Sequence, residues 1–396
     1  MSILIAKDSA VLKTLSIIGT RPEAIKMAPV IKELERYPGH INSRVCVTAQ
    51  HRHMLDQVLD LFKIAPEYDL DVMQDAQSPT MVAAMVLSKL EPILLREQPD
   101  WVLLQGDTTT VMAASIASFY ARVKVGHVEA GLRTYDRMQP FPEELNRQIA
   151  GVVADLHFVP TEKARDNLLR TNVPSRAIVL TGNPVIDALD TVKRLPYNPA
   201  PGPLADIPWE KRIILVTAHR RENFGKPLES ICEALRTVAL HYRNTVHVVY
   251  AVHLNPHVWE AAHRLLGKVP GVTLVGPLEY LPLVHLLKRS YLVLTDSGGL
   301  QEEAPSLGKP VLILRNTTER LEGVEAGTAI LVGSVCQRIV DATARLLDDA
   351  RAFEHMARAV NPFGDGQAAK RIVGALMSHD DAALYACPDK LPYTPG

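Results

Sequence analysis

WVLLQGDTTTVMAASIASFYARVKVGHVEAGLRTYDRMQPFPEELNR, running from Trp101 to Arg147, decides how this chain is read. Trp101–Leu104 is a short apolar run that ends in Gln-Gly-Asp. Thr108–Thr110 and a small-residue helical pattern follow, through Tyr120. Val123–Val128 is a second apolar run, ending in Glu-Ala-Gly. Strand, helix, strand is a parallel βαβ unit, with Asp107 and Glu129 at the carboxyl ends of its two strands. In open α/β sheets ligands sit beyond those ends. A third carboxylate, Glu143, follows in a Pro-rich loop. Asp107 could instead cap the helix after it, and Glu129 could pair with Arg133. Two acids at neighbouring strand ends favour chemistry, because gathered carboxylates divide acid and base roles.

The same rhythm extends in both directions. Leu15–Ile18 is strand-like and leads into Gly19-Thr20-Arg21-Pro22-Glu23. Pro22 suits a first helical turn, and Ala24, Met27, Ile31 and Leu34 mark one helical face. Pro29 is expected to kink that helix or set back its start. Arg21 and Lys26, at the helix N-terminus, form either an anion site or two solvated cations. Strands are expected at Arg44–Thr48, Leu156–Val159 and Ala177–Leu180, giving one doubly wound parallel sheet through residue 190. Leu195–Glu210 holds five prolines and reads as a linker. A second β–α series begins at Arg212–Val216 and continues to the helices Ile339–Asp348 and Gly366–Met377. Two α/β domains are therefore expected to face each other across a cleft.

The second series carries its own ligand signals. Thr295-Asp296-Ser297-Gly298-Gly299 follows a buried-strand pattern and opens a helix, so Ser297, Gly298 and Gly299 suit a phosphate or form a Ser-capped turn. Glu303, one turn further on, suits ribose hydroxyls. His219-Arg220-Arg221 ends the first strand, where a histidine beside cations donates to phosphate or moves a proton. The chain has neither GxGxxG nor GxxxxGK[ST], which argues against NAD and an NTP-hydrolysing loop. His253 and His257 have helical metal spacing, but Pro256 is expected to break that helix.

Bulk properties narrow the field. With 43 basic and 44 acidic residues the formal charge is −1, so no global field draws nucleic acid or an anionic membrane. Four scattered cysteines with no CxxC pair, and no long apolar segment, fit a reduced cytoplasmic protein.

Seven stretches together resemble the non-hydrolysing UDP-N-acetylglucosamine 2-epimerases. They are Gly19–Lys26, Gly106–Thr110, Gly126–Arg133, Pro142–Arg147, Thr217–Asn223, Thr295–Pro310 and Thr317–Arg320. The likeness runs from Leu15 to Leu376. It implies a GT-B-like α/β fold of two doubly wound Rossmann-type domains around a central cleft. On that reading residues 1–190 carry the catalytic carboxylates and 191–361 bind UDP. Residues 362–396 are the last helix, returning to the first domain, and a tail. The implied reaction is reversible inversion at C2, UDP-GlcNAc to UDP-ManNAc, by loss of UDP through 2-acetamidoglucal and its re-addition, without metal or NAD. Motif position makes Asp107, Glu129 and Glu143 the acid/base set, with His219 assisting diphosphate departure. Arg21, Lys26 and Arg221 would hold sugar or phosphate, Ser297, Gly298 and Gly299 the diphosphate, Glu303 the ribose and Arg320 the nucleotide end. The resemblance further implies a homodimer, and an activating second UDP-GlcNAc on Gln50, His51 and His253. Leu283 stands where the family often has an aromatic residue, His53 where Gln or Glu is usual, and Leu321 where Pro is common. A hydrolysing epimerase, a GT-B glycosyltransferase and a non-catalytic nucleotide-sugar sensor are the alternatives.

Overall fold

A computed structural model describes residues 11–48, 52–72 and 77–379. The chain divides into two compact units, each built on a wholly parallel sheet. The first comprises Met1–Arg52, Ala65–Gly182 and Gln367–Gly396; the second comprises His53–Ile64 and Asn183–Gly366.

Seven strands make the sheet of the first unit: β1 (Leu12–Ile18), β2 (Ile41–Val47), β3 (Tyr68–Asp69), β4 (Trp101–Gln105), β5 (Lys124–Val128), β6 (Leu156–Val159) and β7 (Ile178–Leu180). Their order is β3-β2-β1-β4-β5-β6-β7. The winding therefore reverses between β1 and β4, and the crevice beyond that reversal is where such sheets bind ligands. All five residues of β4 are buried, as expected for a parallel strand covered by helices on both faces. Leu15, Ile17, Val102 and Leu104 meet Val86, Leu90, Leu94, Val111 and Ala114 in one core.

The helix Arg21–Leu34 is a single element in which Pro29 is an interior, buried residue. A proline there removes one helical hydrogen bond and crowds the preceding turn. Burial of Ala24, Met27, Val30, Ile31 and Leu34 along the same helix offsets this, so the expected late start does not occur. The last helix, Ala368–Met377, packs on this helix, burying Ile372, Val373 and Leu376. Arg371 ties it down by donating to the Thr181 carbonyl at 2.9 Å.

The sheet of the second unit holds β8 (Arg212–Thr217), β9 (Val246–Ala251), β10 (Val272–Val275), β11 (Ser290–Thr295), β12 (Val311–Ile313) and β13 (Ala329–Leu331). The order is β10-β9-β8-β11-β12-β13, with the reversal between β8 and β11. Two helices join this unit from the amino-terminal half of the chain. In Arg52–Phe62, Gln57 donates to Glu279 at 2.9 Å. Pro184–Val192 is capped by Asn183, whose amide donates to Glu302 at 2.7 Å. The long stretch of the second unit, Asn183–Gly366, opens with this helix and its buried cap. Among the described residues no helix is long and apolar enough to cross a membrane.

One backbone position shows how tightly the first unit is built. Gly131, at φ +87°, would set a Cβ 2.2 Å from the Ala164 carbonyl oxygen, so both the conformation and the space require glycine. Gly374, on the last helix, has nothing within 4 Å of a Cβ. Gly131→Ala should lower stability by about 2–4 kcal/mol, whereas Gly374→Ala should raise it by about 0.5–1 kcal/mol. Urea denaturation of the two variants checks both signs.

Candidate active site

The carboxyl ends of β1, β4 and β5 bring the first group of expected residues together. Glu129, just past β5, has φ +59°, a conformation rare for a residue with a side chain and typical of functional positions. Lys26 donates to both Glu129 oxygens at 2.6 Å, and the Gln105 amide donates to Oε2. The pair is well buried, with the Lys26 side chain 12% and that of Glu129 4% exposed. Glu129 therefore pairs with Lys26, not Arg133, whose guanidinium donates to the Leu132 carbonyl at 2.8 Å. Lys26 is a buried partner and not a solvated cation.

Asp107 follows β4 and does not cap the next helix. Thr108 does so, accepting from the Val111 amide at 3.3 Å. Asp107 is instead gripped by Arg147, whose Nε and Nη2 both donate to Oδ2. Asn146 donates to its backbone carbonyl at 3.0 Å. Both grips come from the helix Glu143–Val153, so Glu143 is a helical residue, not part of a loop. It lies one turn before Arg147 and hence on the same face. Its Oε2 is sealed from solvent with no hydrogen-bond partner. Between the two acids, a Cβ on Gly106 would lie 4.0 Å from Glu129 Oε2. Behind them, His127 Nε2 meets the Gly106 carbonyl at 2.7 Å, which requires a proton on that nitrogen. Burial lowers the pKa of this histidine.

Arg21 opens the helix after β1. Two residues on, Glu23 turns back to accept from the Gly19 amide at 2.6 Å and the Thr20 hydroxyl at 3.1 Å. This is the reaching half of a capping box. It holds the Gly19–Arg21 loop against the start of the Thr109–Tyr120 helix: a Cβ on Gly19 would lie 2.8 Å from the Thr110 hydroxyl.

The second unit gathers its residues at the ends of β8 and β11. Fully buried Asp296 accepts from the amides of His219 and Arg220 at 2.8 Å, and from Asn223 Nδ2 at 3.0 Å. The His219 ring stacks on His253, with centroids 5.3 Å apart and planes 17° from parallel. Burial is the main cause lowering the His219 pKa, with Asp296 acting against it. Arg221 stands exposed at the start of the turn Arg221–Asn223.

Ser297 makes no capping bond with its side chain; its amide donates to the Thr295 hydroxyl at 2.9 Å. Gly298 and Gly299 begin the short helix Gly298–Glu303, so their N–H groups have no helical acceptor. Arg320 lies flat beneath them: a Cβ on Gly298 would be 2.7 Å from its Cζ. Its guanidinium is held by Glu302 and, at 2.5 Å, by Glu319. This buried arginine supports the glycine turn from behind rather than presenting a free fork to a ligand. Glu303 accepts from the Tyr280 hydroxyl at 2.7 Å, and Leu283 packs against the neighbouring core.

His253 precedes the helix Pro256–Leu266, in which Pro256 is the first residue and Asn255 the cap. Pro256 starts this helix, which therefore does not reach back to His253. His253 and His257 do not share one helical face. Gln50 and His51 lie outside the described residues. Gln105, Arg147, Glu23, Asp296 and Glu302 are site-supporting residues to which the sequence reading gave no role, although they lie within or beside its motifs. Each is identified by the partner that folding brings to it.

Burial pushes the Glu23 carboxyl from 4.5 up to about 7, against hydrogen bonds from Gly19, Thr108 and Thr20 that pull it down. Between those pH values the folded chain keeps a proton that the unfolded chain releases, so stability falls as pH rises through the window. Wild type should lose roughly 1–3 kcal/mol between pH 4.5 and 7 relative to Glu23→Gln, with the difference flat on either side. Paired urea titrations across that range measure it.

The chain matches the family profile described as UDP-N-acetylglucosamine 2-epimerase over residues 32–377. It is 53% identical over 374 residues to the UDP-N-acetylglucosamine 2-epimerase of Salmonella typhimurium, covering 93% of this chain and 99% of that one. Its structure resembles that of the Neisseria meningitidis UDP-GlcNAc 2-epimerase bound to UDP-GlcNAc. The TM-score is 0.86 at 47% identity, covering 93% of this chain and 100% of the other. It also resembles the Methanocaldococcus jannaschii UDP-GlcNAc 2-epimerase in complex with UDP-GlcNAc and UDP, with a TM-score of 0.77 at 32% identity over 92% and 99% of the two chains. By sequence, by fold and by the residues gathered at its strand ends, the chain belongs to the UDP-N-acetylglucosamine 2-epimerase family.

Proposed function

We propose that this chain interconverts UDP-GlcNAc and UDP-ManNAc by elimination and re-addition of UDP. The observation that carries the reading is the trio of carboxylates at the carboxyl ends of β4 and β5 and on the helix that grips Asp107, each in a different setting. Glu129 is held by an ammonium and an amide, Asp107 by a guanidinium, and Glu143 has a buried oxygen without a partner. Inversion at carbon needs a proton removed from one face and delivered to the other, hence two groups or one that relocates.

The C2–H bond is weakly acidic, so its cleavage must be coupled to loss of a good leaving group. A carboxylate takes the C2 proton, the C–H electron pair becomes the C1=C2 double bond, and the C1–O pair leaves with UDP. Delivery of a proton to the opposite face of 2-acetamidoglucal, with return of UDP to C1, gives the epimer. Charge developing on the diphosphate is met by preorganised donors. On this reading they are the Gly298 and Gly299 amides, His219, Arg21 and Arg221, with Glu303 on the ribose. Arg320 would act by holding the glycine turn.

The reading extends to a homodimer and to activation by a second UDP-GlcNAc. Apolar surface on the first unit supports self-association: Tyr135, Met138 and Phe141 are each more than 60% exposed. With Leu145 they line one concavity of about 470 Å³, a patch suited to a self-complementary contact.

Incubation with UDP-GlcNAc in heavy water, followed by proton NMR, tests the reaction. UDP-ManNAc carrying deuterium at C2 is the expected product. Release of free ManNAc and UDP would instead assign the hydrolysing reaction. Asp107→Asn, Glu129→Gln and Glu143→Gln should each lower kcat by about 10²–10⁴-fold while UDP affinity changes by less than roughly threefold. Undiminished turnover in all three variants would overturn the reading.

A further inference from the structure

We propose that Asp296 is a positioning residue for His219, fixing which ring nitrogen carries the proton of the neutral imidazole and which one meets the ligand. The proposal rests on the epimerase reading above for its chemical purpose, but the geometry stands apart from it.

Asp296 follows β11 with its side chain wholly buried. Its two oxygens have different surroundings. Oδ2 is saturated by the His219 and Arg220 amides and the Asn223 side chain. Oδ1 is equally sealed from solvent and accepts no hydrogen bond, although His219 Nδ1 lies only 3.7 Å away. A buried carboxylate oxygen without a donor is a strained arrangement. A small turn of the imidazole brings an Nδ1–H onto it. Catalytic hydrogen bonds are often long in unliganded proteins and tighten when ligand binds.

The rest of the ring is constrained to match. Stacking on His253 fixes the plane of the imidazole, so the carboxylate need only set its rotation within that plane. His253 accepts from the Asn255 amide at its own Nδ1, at 3.0 Å, and so does not compete for Asp296. With Nδ1–H turned to Asp296, Nε2 on the opposite edge is the nitrogen left for diphosphate. Burial, His253 and Arg220 all disfavour a positive charge on His219, and Asp296 is the group that favours it. When the anionic diphosphate binds at Nε2, the neutral Nδ1–H ring takes up a second proton there from solvent; as the C1–O bond breaks, its electron pair stays on the diphosphate oxygen and that Nε2 proton is donated to it. The same proton returns to Nε2 when UDP re-adds.

The three donors on Oδ2 make the test specific. In Asp296→Asn they hold the amide oxygen where Oδ2 was, so the amide nitrogen must face His219 Nδ1. A donor there forces the opposite tautomer, with the proton on Nε2, as when an amide replaces the acid behind a catalytic histidine. The experiment is long-range ¹H–¹⁵N NMR of the ¹⁵N-histidine-labelled full chain, titrated over pH with and without UDP. Steady-state kinetics accompany it. Wild-type His219 should be Nδ1–H when neutral. Asp296→Asn should show Nε2–H, a lower imidazole pKa, and kcat reduced by about 10²–10⁴-fold with UDP affinity within roughly threefold. Adding Asp296→Asn to His219→Asn should cause no further loss, because the carboxylate acts only through the ring. An Nε2–H tautomer in wild type would overturn the proposal even if the variant failed to fold. So would an unchanged tautomer and titration in the variant. Should wild type fail to epimerise while showing the expected tautomer switch, the reaction assignment falls and the Asp296–His219 link stands.

Discussion

A parallel strand covered by helices on both faces disfavours charge in its buried stretch, and the arrangement of both units follows from this. Polar side chains are pushed to the strand ends, where backbone and helix termini supply partners. The order of strands then decides which ends adjoin. In the first unit the reversal between β1 and β4 sets the Gly19–Arg21 loop beside Gly106-Asp107, and β5 adds Glu129 next to them. In the second unit the reversal between β8 and β11 sets His219 beside Asp296 and the glycine pair. One topological rule, applied twice, assembles the groups at the strand ends of each unit, while Glu143 and Arg320 come from segments outside the strands.

Neutralising those groups is the second constraint. Buried carboxylates need partners in hydrogen-bonding geometry. Glu129 has Lys26, Asp107 has Arg147, and Glu302 has Arg320. Asp296 instead accepts from two backbone amides and the Asn223 side chain, with the His219 ring alongside. That difference sets it apart from those ion pairs, since an imidazole can give up its proton at neutral pH and a guanidinium cannot.

The sequence was most legible where a segment was long and periodic. The strands at Leu15, Trp101, Val123 and Arg212 and the helices after them follow from apolar runs and helical spacing. Short or unusually framed elements were not legible. β3 is two residues and β13 three, too short for a period to register. The helix Glu143–Val153 follows directly on Pro140 and Pro142, so composition marks its beginning as a loop. It exposes Leu145 and Val152, which blurs its apolar face. Pro29 looked like a boundary because the burial that offsets it comes from residues brought over from the far end of the chain.

The sequence by itself determined the α/β class, the strand ends and hence the positions of Asp107, Glu129, His219 and the Ser297–Gly299 turn. These follow from local periodicity and from residue types that only strand ends tolerate. Only the tertiary structure decided what each of them touches. Gln105 on Glu129, Arg147 on Asp107, Arg320 beneath Gly298 and Asp296 against His219 join residues 22 to 77 positions apart. Such pairs are set by which strands lie side by side, and strand order leaves no trace in the spacing of residues along the chain.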